Sequence, residues 1–242
     1  MSRLLLALAL SAPLALSAPA AAATWAFGGT GGSFASVTST TVEGVTLTAV
    51  ARRFDSSLSP SGLTNLSQLL TLSSTNTAMT IQRTTPGIGV TGGASSEQLD
   101  TNQPQQREAM LLSANKLLSL NGLKLSFVDN DDTLQIYGVN ADNSLTSLGF
   151  GGIIQTGLAG AATATNSGAN NGTTVLSFLD DQITAYNRFV FTTRIIGQPN
   201  GQGYRLDTLT ATILPEPGSW ALLITGFGLI GAIMRRERRA LA

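Results

Sequence analysis

Short apolar segments with a strict two-residue period constrain this chain more than any other feature. "GVTLTAVARRF" sets Val45, Leu47 and Ala49 on one side, and "LKLSFVD" does the same with Leu123, Leu125 and Phe127. "TLQIYGV" aligns Leu134 with Ile136. "RFVFTTRII" aligns Phe189 with Phe191, with Ile195 in phase, and "LDTLTATIL" aligns Leu209, Ala211 and Ile213. Threonine fills much of the opposite side. A period of two with one apolar side predicts half-buried antiparallel strands. "TVLSFLD" and "EAMLLS" read as further strands. Between them stand turn signals: Ser59-Pro60-Ser61-Gly62, Thr85-Pro86-Gly87, Asn121-Gly122, "DNDD", Asn171-Gly172 and Gln198-Pro199-Asn200-Gly201. "LTNLSQLLTL" holds a short helix at most. "TGLAGAATATNSGANNGTT" reads as a flexible surface loop, and "FGGTGGSF" as a linker or a glycine-rich strand. The sequence therefore predicts an all-β domain over residues 24–214. The expected form is an antiparallel β-sandwich of about eight to ten strands with jelly-roll or Greek-key-like links.

Composition narrows the chemistry. Only 12% of the 242 residues are charged, about half the usual 25%. Residues 24–214 carry 12 acids against 9 bases, so no basic surface is expected for a nucleic-acid backbone. Cysteine and histidine are both absent. That removes disulfides, thiolate nucleophiles, a Ser-His-Asp triad and the common zinc sites. Carboxylate pairs, a Ser-Lys dyad and oxygen-only metal binding remain.

Candidates for that remaining chemistry each have a plainer alternative. Asp129, Asp131 and Asp132, around Asn130, are candidate calcium ligands, since calcium takes six to eight oxygens. The glycine and terminal glutamate of an EF-hand loop are missing, and a hairpin turn uses the same residue types. Asp180 and Asp181 carry the same ambiguity. Glu43, Glu97, Asp100 and Glu108 are the other acids from which a glycosidase pair would be drawn, but their spacing singles out none. Lys116 and Lys124 are the lysines open to a Ser-Lys dyad. Trp25, Tyr137, Tyr186 and Tyr204 are candidate rings for stacking on sugars. Asn65-Leu66-Ser67 and Asn171-Gly172-Thr173 match the N-glycosylation sequon by pattern alone.

The two ends read differently from the body. "MSRLLLALALSAPLALSAPAAAATWA" has one early cation, Arg3, then an apolar stretch interrupted by Pro13, then small residues. This is the layout of a secretory signal peptide over residues 1–23. Ala21 and Ala23 satisfy A-x-A, so cleavage is expected after Ala23. At the other end, Pro215-Glu216-Pro217 is stiff and extended. Residues 218–234 carry no charge, and Arg235, Arg236, Arg238 and Arg239 follow. As a helix this stretch would span roughly 25 Å at about 1.5 Å per residue, close to the hydrocarbon core of a bilayer. Trp220 stands where an interfacial aromatic would, and the arginines mark the cytoplasmic side. "GFGLIG" has dinucleotide-loop spacing at Gly226, Gly228 and Gly231, but it lies within an apolar run rather than between a strand and a helix, so that reading fails. Small residues there suit close helix approach.

"PEPGSWALLITGFGLIGAIMRRERR" resembles the PEP-CTERM sorting signal in its proteobacterial form: Pro215, Glu216, Pro217, Trp220, Ala221, Gly226, Phe227, Gly228, Gly231 and the arginines from Arg235 fall on the pattern. Leu222 stands where many members have Met, and Glu237 interrupts the arginines. The resemblance implies a Gram-negative exporter and processing near Pro-Glu-Pro by exosortase, a membrane protease or transpeptidase-like enzyme. The family is associated with exopolysaccharide and biofilm. "GIGVTGGASSEQLDTNQPQQREAMLLS" followed by "LKLSFVDNDDTLQIYG" is similar to β-rich ectodomains of such proteins and implies no activity.

The expectations are as follows. Residues 1–23 are a signal peptide, 24–214 a β-sandwich ectodomain, and 215–239 a sorting signal with its motif at 215–217, a single transmembrane helix at 218–234 and an arginine cluster at 235–239. The protein is expected to be non-enzymatic. It crosses the inner membrane, stays briefly as an anchored precursor, and ends on the cell surface or in the extracellular matrix. Exosortase, the membrane and extracellular polysaccharide are the expected partners, with no nucleic acid. No cofactor is expected other than calcium at the three aspartates. The alternatives are a carbohydrate-binding module for matrix polysaccharide and a carboxylate-based glycan-active enzyme.

Overall fold

The computed structural model describes residues 22–55, 57–69, 79–91, 97–100, 107–168, 170–179, 185–194, 203–214 and 217–240, with the side chains of 224–236 alone in the last stretch. The signal-peptide stretch before Ala22, Asp180, Asp181, Pro215 and Glu216 lie outside the described residues, as do the side chains of Pro217, Trp220, Arg238 and Arg239.

The strands are β1 (Ala22–Ala26), β2 (Gly32–Phe34), β3 (Ser36–Thr38), β4 (Leu47–Phe54), β5 (Thr80–Thr84), β6 (Gly87–Thr91) and β7 (Arg107–Val128). After them come β8 (Thr133–Val139), β9 (Leu145–Ile153), β10 (Ala162–Ser167), β11 (Gly172–Phe178), β12 (Tyr186–Thr192) and β13 (Arg205–Ile213). One helix, α1 (Pro217–Ala240), follows. The described strands form one connected sheet of thirteen, more than the eight to ten expected. Their ladders are antiparallel.

Strand β7 organises the sheet. Its first part pairs with β4, from Leu47↔Ala114 to Phe54↔Arg107, and with β12, from Arg188↔Ser113 to Phe191↔Met110. Its second part pairs with β13, from Arg205↔Ser126 to Ile213↔Leu118, and with β11, from Gly172↔Val128 to Ser177↔Gly122. Two arms therefore share one strand: β3-β4-β7-β12-β8-β9 and β1-β13-β7-β11-β10. The β5–β6 hairpin joins the second arm at Leu206↔Ile88.

"EAMLLS" and "LKLSFVD" thus belong to one strand, and the turn expected at Asn121-Gly122 is absent. The register shows why. Thr210 faces Gly122 while Ala211 faces Leu120, so Asn121 is an extra residue in a bulge. The buried phase switches there, from Leu118 and Leu120 to Leu123 and Leu125. Gly122 also lets β11 come close, since a side chain there would strike the Leu176 carbonyl oxygen. The low-complexity stretch expected as a loop instead supplies β10, hairpinned to β11 at Asn171, whose φ is 50°.

Both arms feed one core. Leu47, Ala49, Met110, Leu112, Ile136, Phe189 and Phe191 come from the first arm, and Trp25, Leu120, Leu123, Leu125, Leu209 and Ala211 from the second. Fully burying an aliphatic or phenyl side chain of this kind contributes about 1.5–3 kcal/mol. A smaller core lies on the reverse of the first arm: Phe54, Leu111, Tyr137, Val139 and Val190, closed by Leu63 and Leu69. Strand β8 is consequently buried along its whole length.

The two ends of the body lie side by side. Strand β1 starts with Ala22↔Thr212, and β13 ends at Ile213. The Leu214 N–H donates to the Leu117 carbonyl at 3.0 Å, holding the chain to the sheet until three residues before α1. The described body therefore begins, at Ala22, and ends, at Leu214, at neighbouring positions on the sheet.

Candidate functional site

The rings proposed for sugar stacking are all buried, which corrects that expectation. Trp25 points inward from β1, in phase with Ala23 and Phe27, and its indole N–H donates to the Val45 carbonyl at 3.0 Å. The Tyr137 hydroxyl donates to the Pro60 carbonyl at 2.6 Å, and that of Tyr204 to the Thr192 carbonyl at 3.1 Å. Tyr186 packs edge-on against Phe189, with centroids 6.1 Å apart, and needs Gly138 beside it because any side chain there would collide with its ring. With the Trp25, Tyr137 and Tyr204 polar groups satisfied by backbone, these rings can be buried whole. Burial pushes the Tyr137 phenol upward, and burial with Asp132 nearby pushes Tyr204 well above its ordinary value.

The three aspartates do not converge. Among the described residues, no group of three or more acidic side chains could hold a metal ion. Asp132 is 2% exposed, and its two oxygens accept from the backbone N–H groups of Asp129 at 2.6 Å and Gly203 at 2.8 Å. Asp129 accepts instead from the backbone of Asn171, in the β10–β11 turn. The Asp129 N–H···Asp132 bond ties the β7–β8 turn together, and the calcium expectation is withdrawn in favour of the turn.

Asp132 is the one member with unusual chemistry. Burial pushes its carboxyl up to about 7, against the two backbone N–H bonds that lower it, with Asp129 and Asp131 adding to the rise. The unfolded chain holds this proton only below about 3.9. Between those values the folded state binds more protons than the unfolded one, so stability falls as pH rises. At about 1.4 kcal/mol per tenfold, the difference is worth about 4 kcal/mol. Asp132→Asn removes the titration. Urea midpoints of wild type and variant are expected to converge or cross as pH rises from 4 to 8, with the wild type losing ground; parallel curves would contradict this.

The other acids are dispersed. Glu43 sits at an exposed turn with φ 50°. Glu97 pairs with Arg205, whose guanidinium also lies 3.9 Å over the Phe127 ring. Asp100 and Glu108 come together: the Asp100 N–H donates to a Glu108 carboxylate oxygen at 2.9 Å. Glu108 also faces Arg53 across β4–β7, and both are buried. The sequence reading missed this pair. Its signal is phase, since Arg53 follows Ala49 and Ala51 while Glu108 precedes Met110 and Leu112 on the core side. Lys124 pairs with Asp207 at 2.6 Å. Asn65 caps a short 3₁₀ turn, Leu66–Gln68, in a capping box with Gln68.

At the C-terminal side, α1 runs 24 residues, and its described side chains, 224–236, are all exposed. Ile224, Phe227, Leu229, Ile230, Ile233 and Met234 are among the exposed large apolar side chains of the described residues. Gly226, Gly228 and Gly231 have nothing within 4 Å of where a Cβ would stand. Among the described residues, no helix is long and apolar enough to cross a membrane. Arg235 and Arg236 fall on the exposed helix after Met234.

Comparison of the chain with protein-family models finds no match, and comparison with curated proteins finds none either.

Proposed function

We propose that this is an exported, non-enzymatic surface or extracellular-matrix protein, delivered by a sorting signal at residues 215–239 that exosortase reads and processes. The body is a β-sandwich whose layers are the two arms on β7. Helix α1 holds the precursor in the membrane with the body outside and the arginines inside. Exopolysaccharide or biofilm matrix is the destination. The observation that carries this reading is the closeness of the two ends of the body: Ala22 lies opposite Thr212, and α1 begins four residues after Ile213. One membrane can then hold both apolar flanks while the body stands wholly on one side. Exposed apolar side chains along 224–236 support it, because such a surface calls for lipid or a partner helix.

Sugar binding loses its aromatic support with the burial of Trp25, Tyr137, Tyr186 and Tyr204. The test is the fate of the native chain in its host with and without exosortase, followed by membrane fractionation. The precursor should remain membrane-bound when the enzyme is missing.

A further inference from the structure

A cleft on the reverse of the first arm gathers hydrogen-bond donors with no acid to meet them. Its volume is about 430 Å³, within the roughly 300–1,000 Å³ of small-molecule sites. Leu111 of β7 lines it together with Leu66 and Leu69, from the 3₁₀ turn and its flank. Its polar lining is Arg52 of β4, Asn65, Ser67 and Asn143 of the β8–β9 turn. The frame is built by backbone bonds. The Leu66 N–H donates to the Asn143 carbonyl at 2.9 Å, and the Leu145 N–H to the Thr64 carbonyl at 2.8 Å.

Arg52 is the unusual member. It stands opposite Ala109, in phase with Val50 and Phe54, on the face that Leu63 and Leu69 cover. Its Nη1 donates to the Ala51 carbonyl at 3.0 Å. Among the described residues, no acid forms an ion pair with it. Burial lowers its pKa, and no carboxylate acts against that. Asp142, beside Asn143, accepts instead from the N–H and hydroxyl of Ser144. The Asn65 side-chain oxygen accepts from the Ser67 N–H, which leaves its amide NH₂ as a donor. Asn143 is exposed at the rim.

We propose that this cleft binds a small carboxylate with an aliphatic body. A guanidinium fork matches the two oxygens of a carboxylate. The Asn65 and Asn143 amides are the neighbouring donors, and the three leucines offer the surface for an alkyl chain. A sugar acid is disfavoured because no aromatic ring lines the cleft, and an organic cation because Arg52 does. The site stands apart from the export reading and shares no residue with the sorting signal.

Hexanoate is the probe, followed by ligand-observed NMR with the full chain in a non-ionic detergent and the detergent alone as blank. The expected dissociation constant is about 1 mM. Hexanol and hexylammonium are expected to match the blank. Arg52→Met keeps the aliphatic stem and removes the charge, and should weaken binding about tenfold or more. Asn143→Gly removes one amide at a φ of 66°, which glycine accepts, and should weaken binding severalfold with the unfolding midpoint unchanged. No hexanoate binding above the blank would overturn the proposal. So would equal binding of hexanol or of inorganic phosphate, or wild-type affinity in both variants.

Discussion

Trp25→Ala is expected to destabilise the body by about 3–5 kcal/mol, a large share of the 5–15 kcal/mol typical of a folded domain. Trp25 is fully buried between the arms, and its strand is held by one ladder, to β13. Truncation leaves a cavity beside Leu209, its register partner, and removes the indole N–H from the Val45 carbonyl, which keeps only its bond from the Val42 N–H. Because β1 has no second neighbour among the described strands, fraying there would expose Ala211 and Leu209 together. Trp25→Phe keeps most of the volume and loses the hydrogen bond, so it should cost distinctly less. Urea unfolding followed by circular dichroism reads both. If Trp25→Ala unfolds at the wild-type midpoint, the ring does not anchor this core.

Neutralising the proposed sorting signal should change the fate of the chain without changing the body. Replacing Arg235, Arg236, Arg238 and Arg239 with Ala removes the charges that resist entry into the bilayer, each worth about 2.5–3.5 kcal/mol at its centre. The helix then has no fixed stop. Glu216→Ala leaves the helix and its arginines but alters the motif that exosortase is proposed to read. Both variants are expected to accumulate at precursor size in cells that process the wild type, with unfolding midpoints of the body unchanged. Maturation of either variant at the wild-type rate would contradict the sorting reading. A shifted midpoint would mean that the body itself had been disturbed.

The strands that alternate cleanly were legible from sequence. Strands β4, β8, β12 and β13 fall where Leu47, Leu134, Phe189 and Leu209 set the period, and the turns at Pro86-Gly87 and Asn171-Gly172 close hairpins. Continuity of β7 was not legible, because Asn121-Gly122 carries a turn signal locally and a bulge in context. Only the flanking strands β11 and β13, distant in sequence, decide between them. Tyr137 was misread for a related reason. It lies out of phase with Leu134 and Ile136, which marks an exposed face only when nothing covers that face. Here Leu63 and Leu69 do. Trp25 could have been recognised, since its phase with Ala23 and Phe27 is the period-two signal itself. Of the three clustered aspartates, sequence could not say which one is buried. Gly203, 71 residues on, selects Asp132.

The sorting claim is tested most directly by the intact mass and membrane fractionation of the native protein in host cells with and without exosortase. With the enzyme, the account predicts a body shortened near Pro215-Glu216-Pro217 and no longer held by α1. Without it, the account predicts a membrane-bound chain that retains α1 and its arginines. The same mass and the same fraction in both strains would contradict it.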